Sequence, residues 1–249
     1  MFYRAIPLIT LALLGGALLS PHANAGIVLS GTRLIFDGAK REASVNAQNT
    51  SDVPYVVQAW VDAADGSVDT PFFVTPAISR IDGKREGLLR VLKVSDALQK
   101  DRESMYWLNV KEIPKMDKRD NVLQIAIRTR IKLFYRPTGL NTDQRGSTAL
   151  KWSVVKDGTS GKCSLKVENN SAFYSTFSNV SVDYRDGSHN KFMMGSVDPF
   201  SSHKWNLTRC EDSVHVTYST INDFGATEDT SSFPVNLTHD DGRESAVSQ

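Results

Sequence analysis

The chain has 249 residues, 40% of them hydrophobic, with 29 Lys and Arg against 28 Asp and Glu. This near-neutral balance gives no sign of a nucleic-acid partner, and none is expected. After the first 25 residues, no segment approaches the roughly 20 consecutive apolar residues that a spanning helix needs, so membrane insertion is not expected either.

The first 25 residues have the pattern of a secretory signal peptide. Arg4 precedes an apolar run at 8–19, and small or polar residues follow, ending in ANA at 23–25. The apolar run is too short to span a membrane. Cleavage after Ala25 predicts an exported chain that begins at Gly26.

Positive charge is concentrated in one part of this mature chain. Residues 111–136 contain eight Lys or Arg and three Asp or Glu, a surplus of five in a chain that is neutral once Arg4 is removed. Such a cationic patch indicates an anionic partner, although a solvated charged loop has the same composition.

The two cysteines, Cys163 and Cys210, are expected to form a disulfide, since exported chains meet oxidising conditions. The chain has no CxxC pair, and its histidines lack the close spacing of a metal site. No metal and no cofactor is therefore predicted.

Strand patterns follow one another along the chain, and no long helix is indicated. About seven strand-like segments between 26 and 137, separated by turn signals, predict one immunoglobulin-like sandwich. A short helical turn is expected within 96–104. The segments are GIVLSGTRLIFDG, SVNAQN, PYVVQAWVDAADG, FFVTP, GLLRVLKV, SMYWLNVKEIP and NVLQIAIRTRIKLFY.

A polar stretch, TGLNTDQRGST, then interrupts the strand pattern and indicates a linker or loop. Strand signals resume and predict a second, smaller all-β domain over 141–240, followed by a frayed tail at 241–249. A single larger domain fits the length alone, but the interruption favours two.

Several segments, taken in order, resemble the periplasmic pilus-assembly chaperones of the chaperone-usher pathway, the PapD-like family. The resemblance implies an all-β protein with two immunoglobulin-like sandwich domains in a boomerang arrangement around a cleft. It also implies a periplasmic chaperone that binds, folds and caps pilus subunits and delivers them to an outer-membrane usher. The segments are TRLIFDG, VPYVVQAWVD, FFVTPAISRID, RESMYWLNVKEIP, LQIAIRTRIKLFYRP and INDFG.

The resemblance assigns an anchoring role to two cations. In such chaperones an Arg and a Lys in the cleft hold the C-terminal carboxylate of a subunit, and the motifs place them at Arg33 and Lys132. By spacing alone, Arg130 is as good an anchor as Lys132. Which of the two strand cations serves is left open by the spacing.

The resemblance also implies that the strand containing Leu123, Ile125 and Ile127 is donated to a subunit that lacks its own last strand. These residues share one face by period two, a pattern that by itself favours a place in the core. Because Lys132 falls on the opposite face of an unbroken strand, a bulge or strong twist is expected. Whether the free protein self-associates to cover this edge is left open.

Three charged residues, Glu103, Arg136 and Asp223, match a cluster that the family uses at the domain junction. The resemblance implies that an Arg between two carboxylates fixes the angle between the domains. The isomeric state of the Thr75-Pro76 bond is not determined by the sequence.

Two other classes of function compete with that of a chaperone. A secreted two-domain immunoglobulin-like adhesin or binding module has the same strand pattern. Against an enzyme, the chain has no GxSxG motif, metal-ligand pair or phosphate-binding loop, so no catalytic residue is predicted.

Overall fold

The computed structural model describes residues 26–114, 123, 125–141, 149–193 and 195–239. Within these ranges the chain forms seventeen strands and no α-helix, so the predicted all-β class is confirmed. The helical turn expected at 96–104 is wrong, because strand β8 begins at Ser104 and the preceding residues form bends and irregular backbone. No helix long and apolar enough to cross a membrane occurs in the described part of the chain.

The first domain is built from nine strands in two sheets. They are β1 (Ile27–Leu29), β2 (Arg33–Asp37), β3 (Glu42–Asn49), β4 (Tyr55–Ala63), β5 (Phe72–Thr75), β6 (Ile78–Ile81), β7 (Glu86–Lys93), β8 (Ser104–Ile113) and β9 (Arg128–Arg136). One sheet has the order β1-β3-β7-β5 and the other β2-β9-β8-β4-β6. The peptide bond between Thr75 and Pro76, at the end of β5, is cis.

The alternating pattern of β9 explains how this sandwich forms. Ile131 and Leu133 are buried in the core, whereas Arg130 is exposed and Lys132 half-buried on the other face. Successive side chains of a strand point to opposite faces, so the apolar residues pack on the facing sheet and the cations lie outside it.

The N-terminal segment passes from one sheet of this sandwich to the other. β1 pairs with β3 in the four-stranded sheet, and after Gly31 the chain enters β2 in the five-stranded sheet. β2 runs parallel to β9, with Arg33 opposite Lys132 and Asp37 opposite Arg136. This register brings cations about 100 residues apart in sequence onto neighbouring strands.

The second domain contains the remaining eight strands. They are β10 (Leu150–Lys156), β11 (Cys163–Asn169), β12 (Ser175–Asp183), β13 (His189–Phe192), β14 (Ser196–Val197), β15 (Ser201–Asn206), β16 (Ser213–Thr220) and β17 (Ser231–His239). The order is β13-β12-β16-β17-β10-β11-β15, with β14 beside β12.

Strand β17 joins the two layers of this domain. It pairs with β16 in antiparallel fashion over its first six residues and with β10 in parallel over its last three. The sequence pattern did not predict this strand, whose interior contains Pro234. A disulfide between Cys163, at the start of β11, and Cys210, after β15, links two further parts of the domain.

The same polar turn follows a strand in each domain. After β3, the side chain of Asn49 donates to the carbonyl of Val53, and Ser51 donates back to Asn49 Oδ1. After β11, Asn169 and Ser171 make the equivalent bonds around Phe173. Both asparagines are fully buried, and each satisfies backbone groups of its turn.

We expect replacement of both Cys163 and Cys210 by Ala to lower the free energy of unfolding of the second domain by about 2–4 kcal/mol, because the disulfide closes a long loop. Hydrogen exchange read by mass spectrometry should show faster exchange in β10–β17 and unchanged exchange in β3–β8. Equal losses of protection in both domains would contradict this expectation.

Candidate functional site

Arg33 and Lys132 lie side by side where the two domains meet. As register partners in the parallel pair of β2 and β9, they project from the outer face of the five-stranded sheet. The ring of Phe134 lies near both, with its centroid 5.9 Å from Arg33 Cζ and 6.0 Å from Lys132 Nζ. The structure therefore brings together the two residues that the family motif singled out.

The second domain surrounds these cations with neutral polar groups. Arg33 Nη1 donates to the carbonyl oxygen of Ile221 at 3.2 Å, and Lys132 Nζ donates to Ser196 Oγ. Ser196 Oγ is also 3.0 Å from Thr176 Oγ1, its register partner across β12 and β14. These second-domain groups were not identified from the sequence, since no local pattern indicates which loop meets another domain.

Arg33 and Lys132 are both partly buried, so water solvates their charges incompletely. Burial lowers the pKa of Arg33 despite the opposing charges of Asp223 and Glu103. Burial also lowers the pKa of Lys132, and the nearby charge of Arg33 lowers it further, against the attraction of Asp198. Arg33 Nε is buried and has no hydrogen-bond partner among the described residues. A carboxylate would supply the missing acceptor and negative charge.

Arg136, also on β9, is neutralised by two carboxylates. Its Nε and Nη2 lie 2.8 Å and 2.7 Å from Glu103 Oε1, and its Nη1 lies 2.9 Å from Asp223 Oδ2. Burial alone lowers the pKa of Arg136, but hydrogen bonds to Asp223 and the charge of Glu103 outweigh it and raise the pKa overall. The structure thus places Glu103, Arg136 and Asp223 in one cluster.

This cluster crosses the boundary between the domains. Glu103 Oε2 accepts a bond from the backbone N–H of Tyr174 at 2.9 Å, and the N–H of Glu103 donates to the carbonyl of Ala172 at 2.8 Å. Close packing adds to these bonds: a Cβ on Gly225, which has a φ of 85°, would overlap the hydroxyl of Thr32. The two domains are therefore joined by backbone, ionic and steric contacts.

Leu123, Ile125 and Ile127 precede β9 and are 85%, 70% and 45% exposed. Their exposure contradicts the alternative that they belong to the core. The carbonyl of Ile127 accepts a hydrogen bond from the N–H of Glu112 at 2.8 Å, so the chain already runs beside β8 at this point.

The opposite edge of this strand is open. β2 begins with Arg33, whose partner is Lys132, and no described strand continues along β9 toward its N-terminus. Over β9 the pairing with β8 shows no register shift, so the expected bulge is absent from β9. Within β9, Ile131 lies on the buried face and Lys132 on the other.

Arg128 and Arg130 occupy the same outer face as Lys132 but contact other groups. Arg128 lies 5.0 Å from the Trp60 ring centroid and donates to Asn109 and Asp62. Arg130 lies 4.3 Å from the ring centroid of Trp107. The register and these contacts distinguish Lys132, rather than Arg130, as the strand cation beside Arg33. No group of three or more His, Cys, Asp or Glu that could hold a metal occurs within the described ranges.

The described features are those of a two-domain immunoglobulin-like protein with a cationic site at the domain junction. Residues 26–141 match the family "Pili and flagellar-assembly chaperone, PapD N-terminal domain", and residues 146–232 match "Pili assembly chaperone PapD, C-terminal domain". The chain therefore belongs to the PapD-like family of pilus-assembly chaperones.

Individual relatives agree with this assignment. The chain is 39% identical to the chaperone protein LpfB of Salmonella typhimurium over 209 residues, which cover 82% of this chain and 87% of LpfB. The crystal structure of the YadV chaperone of Escherichia coli is 36% identical, with a TM-score of 0.71, and the match covers 84% of this chain and all of that one. The crystal structure of the periplasmic chaperone SfaE is 28% identical, with a TM-score of 0.66, over 83% and 98% of the two chains.

Replacing Arg136 with Met should destabilise the protein by about 3–5 kcal/mol, because Glu103 would be left buried without a compensating charge. Chemical denaturation measures this loss, and spin labels placed one in each domain should report a broader distribution of distances between the domains. Arg80→Met is the matched control, since Arg80 pairs with Asp82 on the surface and its loss should cost within about 0.5 kcal/mol. Equal effects of the two substitutions would contradict a junction role.

Proposed function

We propose that this protein is a periplasmic chaperone that binds, folds and caps pilus subunits and delivers them to an outer-membrane usher. The observation that carries this proposal is the continuity between the open edge of β9 and the paired cations. The open edge of β9 begins at Arg128, directly after the exposed Ile127, and ends at Lys132, whose register partner on β2 is Arg33. A strand-binding edge and an anion-binding end thus form one continuous surface.

This geometry fixes the direction of a bound strand. A segment whose C-terminal carboxylate reaches Arg33 and Lys132, and which lies along residues 123–131, must run in the same direction as β9. It would occupy the line of β2 and pair through its main chain with the unpaired edge. The pairing is parallel, as it is between β2 and β9.

The exposed side chains supply the capping part of the proposal. Leu123, Ile125 and Ile127 would fill the groove of a subunit that lacks a strand of its own sandwich. Burying each such side chain contributes about 1.5–3 kcal/mol, so three together account for a substantial affinity. The same exposure makes the free edge prone to pairing with another chain. A bound subunit would cover this edge and prevent such pairing.

The carboxylate at the end of the strand supplies the anchoring part. It would satisfy the unpartnered Nε of Arg33 and relieve the repulsion between Arg33 and Lys132. Hydrogen bonds between charged groups contribute about 1.5–3 kcal/mol each. The proposal requires no cofactor, nucleic acid or catalytic residue, and it describes a chaperone without enzymatic activity.

The proposal includes a division of the chain. Residues 1–25 are a cleaved export signal, 26–137 the domain that donates the strand, 141–240 the second immunoglobulin-like domain, and 241–249 a tail. The signal and the tail lie outside the described residues. The matched ranges of the two family domains support the boundary near 141, and the relatives reported above favour a chaperone over a secreted adhesin.

We expect Ile125→Asp to abolish capture of a subunit while leaving the free chaperone folded, because the charge would be desolvated in an apolar groove. The melting temperature of the free variant should match that of the wild type, and co-purification of a pilus subunit that the wild type captures should fail. Val68→Asp is the control, since Val68 is 75% exposed in the same domain but lies in the connection between β4 and β5. Unfolding of the first domain by Ile125→Asp, or normal capture, would contradict donation of this strand.

Arg33→Ala and Lys132→Ala should each weaken subunit binding by about 2–5 kcal/mol, roughly 30-fold to several thousand-fold, because the carboxylate would be left half-paired in a partly desolvated site. Titration calorimetry with a purified subunit measures the loss, and thermal melts should show that the fold is kept. Arg130→Ala should have the weaker effect. The carboxylate mechanism fails if a subunit with an amidated C-terminus binds as well as the free acid.

A further inference from the structure

Arg130 is an exposed cation that the proposed anchoring site does not use. Its guanidinium lies over the ring of Trp107 at 4.3 Å. No carboxylate among the described residues forms an ion pair with it, and its side chain makes no hydrogen bond to them. A flat cation held on an aromatic ring keeps its in-plane donors available, because the contact uses the face of the guanidinium.

The neighbouring cation on the same face is arranged differently. Arg128 donates to Asp62 at 2.8 Å and to Asn109 at 2.9 Å, and both of these residues are buried. The charge of Arg128 is thus neutralised by Asp62 of the same sheet. Arg130 lies closer along β9 to the start of β2. Of the two neighbouring cations, Arg128 has an ion-pair partner among the described residues and Arg130 has none.

Arg130 also belongs to the part of β9 whose edge is open, since β2 pairs with β9 only from Lys132 onward. A strand that continues the line of β2 would place alternate side chains on the outer face of the sheet, next to Arg130 and Lys132. Neighbouring strands lie about 4.8 Å apart, so a carboxylate on that face is within reach of the guanidinium. The remaining side chains of the strand would point to the face of Ile131.

We propose that Arg130, supported by Trp107, is a subsite for an acidic side chain near the C-terminus of the bound subunit strand. This inference rests on the proposed function, since it assumes that the strand lies along β9 with its carboxylate at Arg33 and Lys132. The subsite would favour subunits whose strand carries an Asp or Glu on the outer face of the sheet, next to Arg130. The stacking contact lowers the conformational entropy that an exposed arginine loses when it forms an ion pair.

The test uses synthetic peptides of about ten residues, the length of a long strand, that alternate Val and Ser and end in a free carboxylate. A single Glu or Gln is placed in turn at each of the final positions, and binding to the full mature chaperone is measured by fluorescence anisotropy. We expect Glu to bind about two- to fivefold tighter than Gln at every second position only, the gain of a favourable exposed ion pair. Arg130→Gln should remove this gain.

Lys111→Gln is the matched control. Lys111 is an exposed cation whose register partner is Arg128, so it lies one strand farther from the open edge. Its loss makes the same change in charge and should leave the alternating pattern intact. An advantage for Glu that is equal at all positions, or that survives Arg130→Gln, would overturn the subsite.

Amidated versions of the same peptides separate this inference from the proposed function. If amidation weakens binding while Glu and Gln remain equivalent, the anchoring site stands and the subsite at Arg130 is wrong. If amidation has no effect, or if no peptide binds in either form, the proposed strand geometry fails and the subsite fails with it.

Discussion

The parallel register of β2 against β9 is the constraint on which the rest of the molecule depends, because it forces Arg33 and Lys132 into adjacent positions. Two like charges on neighbouring strands repel each other, and partial burial removes the water that would screen them. The lowered pKa of Lys132 expresses both effects. The free protein bears this unfavourable arrangement, and an anion at the same place would relieve it.

Arg136 and Lys132 lie a few residues apart on β9 but differ in what their charges do, because their counter-charges differ. Arg136 forms ion pairs with Glu103 and Asp223, which neutralise its charge and join the domains. Lys132 donates to the hydroxyl of Ser196 and has no ion pair among the described residues, so its positive charge is not neutralised by a direct contact. The ion pairs of Arg136 join the two domains close to Arg33 and Lys132. They thereby hold the polar groups of the second domain around these two cations.

The parts of the structure that follow from local periodicity were predictable from the sequence. The strands of the first domain alternate apolar and polar residues, and β9 continues that alternation. β17 was not predicted, since Pro234 interrupts its pattern and its pairing with both β16 and β10 depends on the whole domain. The helical turn expected at 96–104 was wrong, because these residues form bends and irregular backbone that end where β8 begins at Ser104. The next-to-last of them, Glu103, bonds to the backbone of the second domain, a contact that no local propensity encodes.

The site shows the same division between local and long-range information. Spacing along β9 could not separate Arg130 from Lys132, since both lie on one face. The family motif chose Lys132, and the register with Arg33 gives the physical reason. Ser196 and the carbonyl of Ile221 come from turns and strands of the other domain, so only the packed structure reveals them.

The asparagine turns that follow β3 and β11 are alike in sequence and in bonding. Asn49 with Ser51 and Asn169 with Ser171 share an NxS spacing, a place at the end of a strand, and similar buried hydrogen bonds. Both sandwiches thus end a strand in the same way, with a buried amide that satisfies backbone groups of the following turn. The residues beside the two turns differ in what they join: Thr50 bonds to Gly26 within the first domain, whereas Ala172 of the second domain accepts the bond from Glu103 of the first.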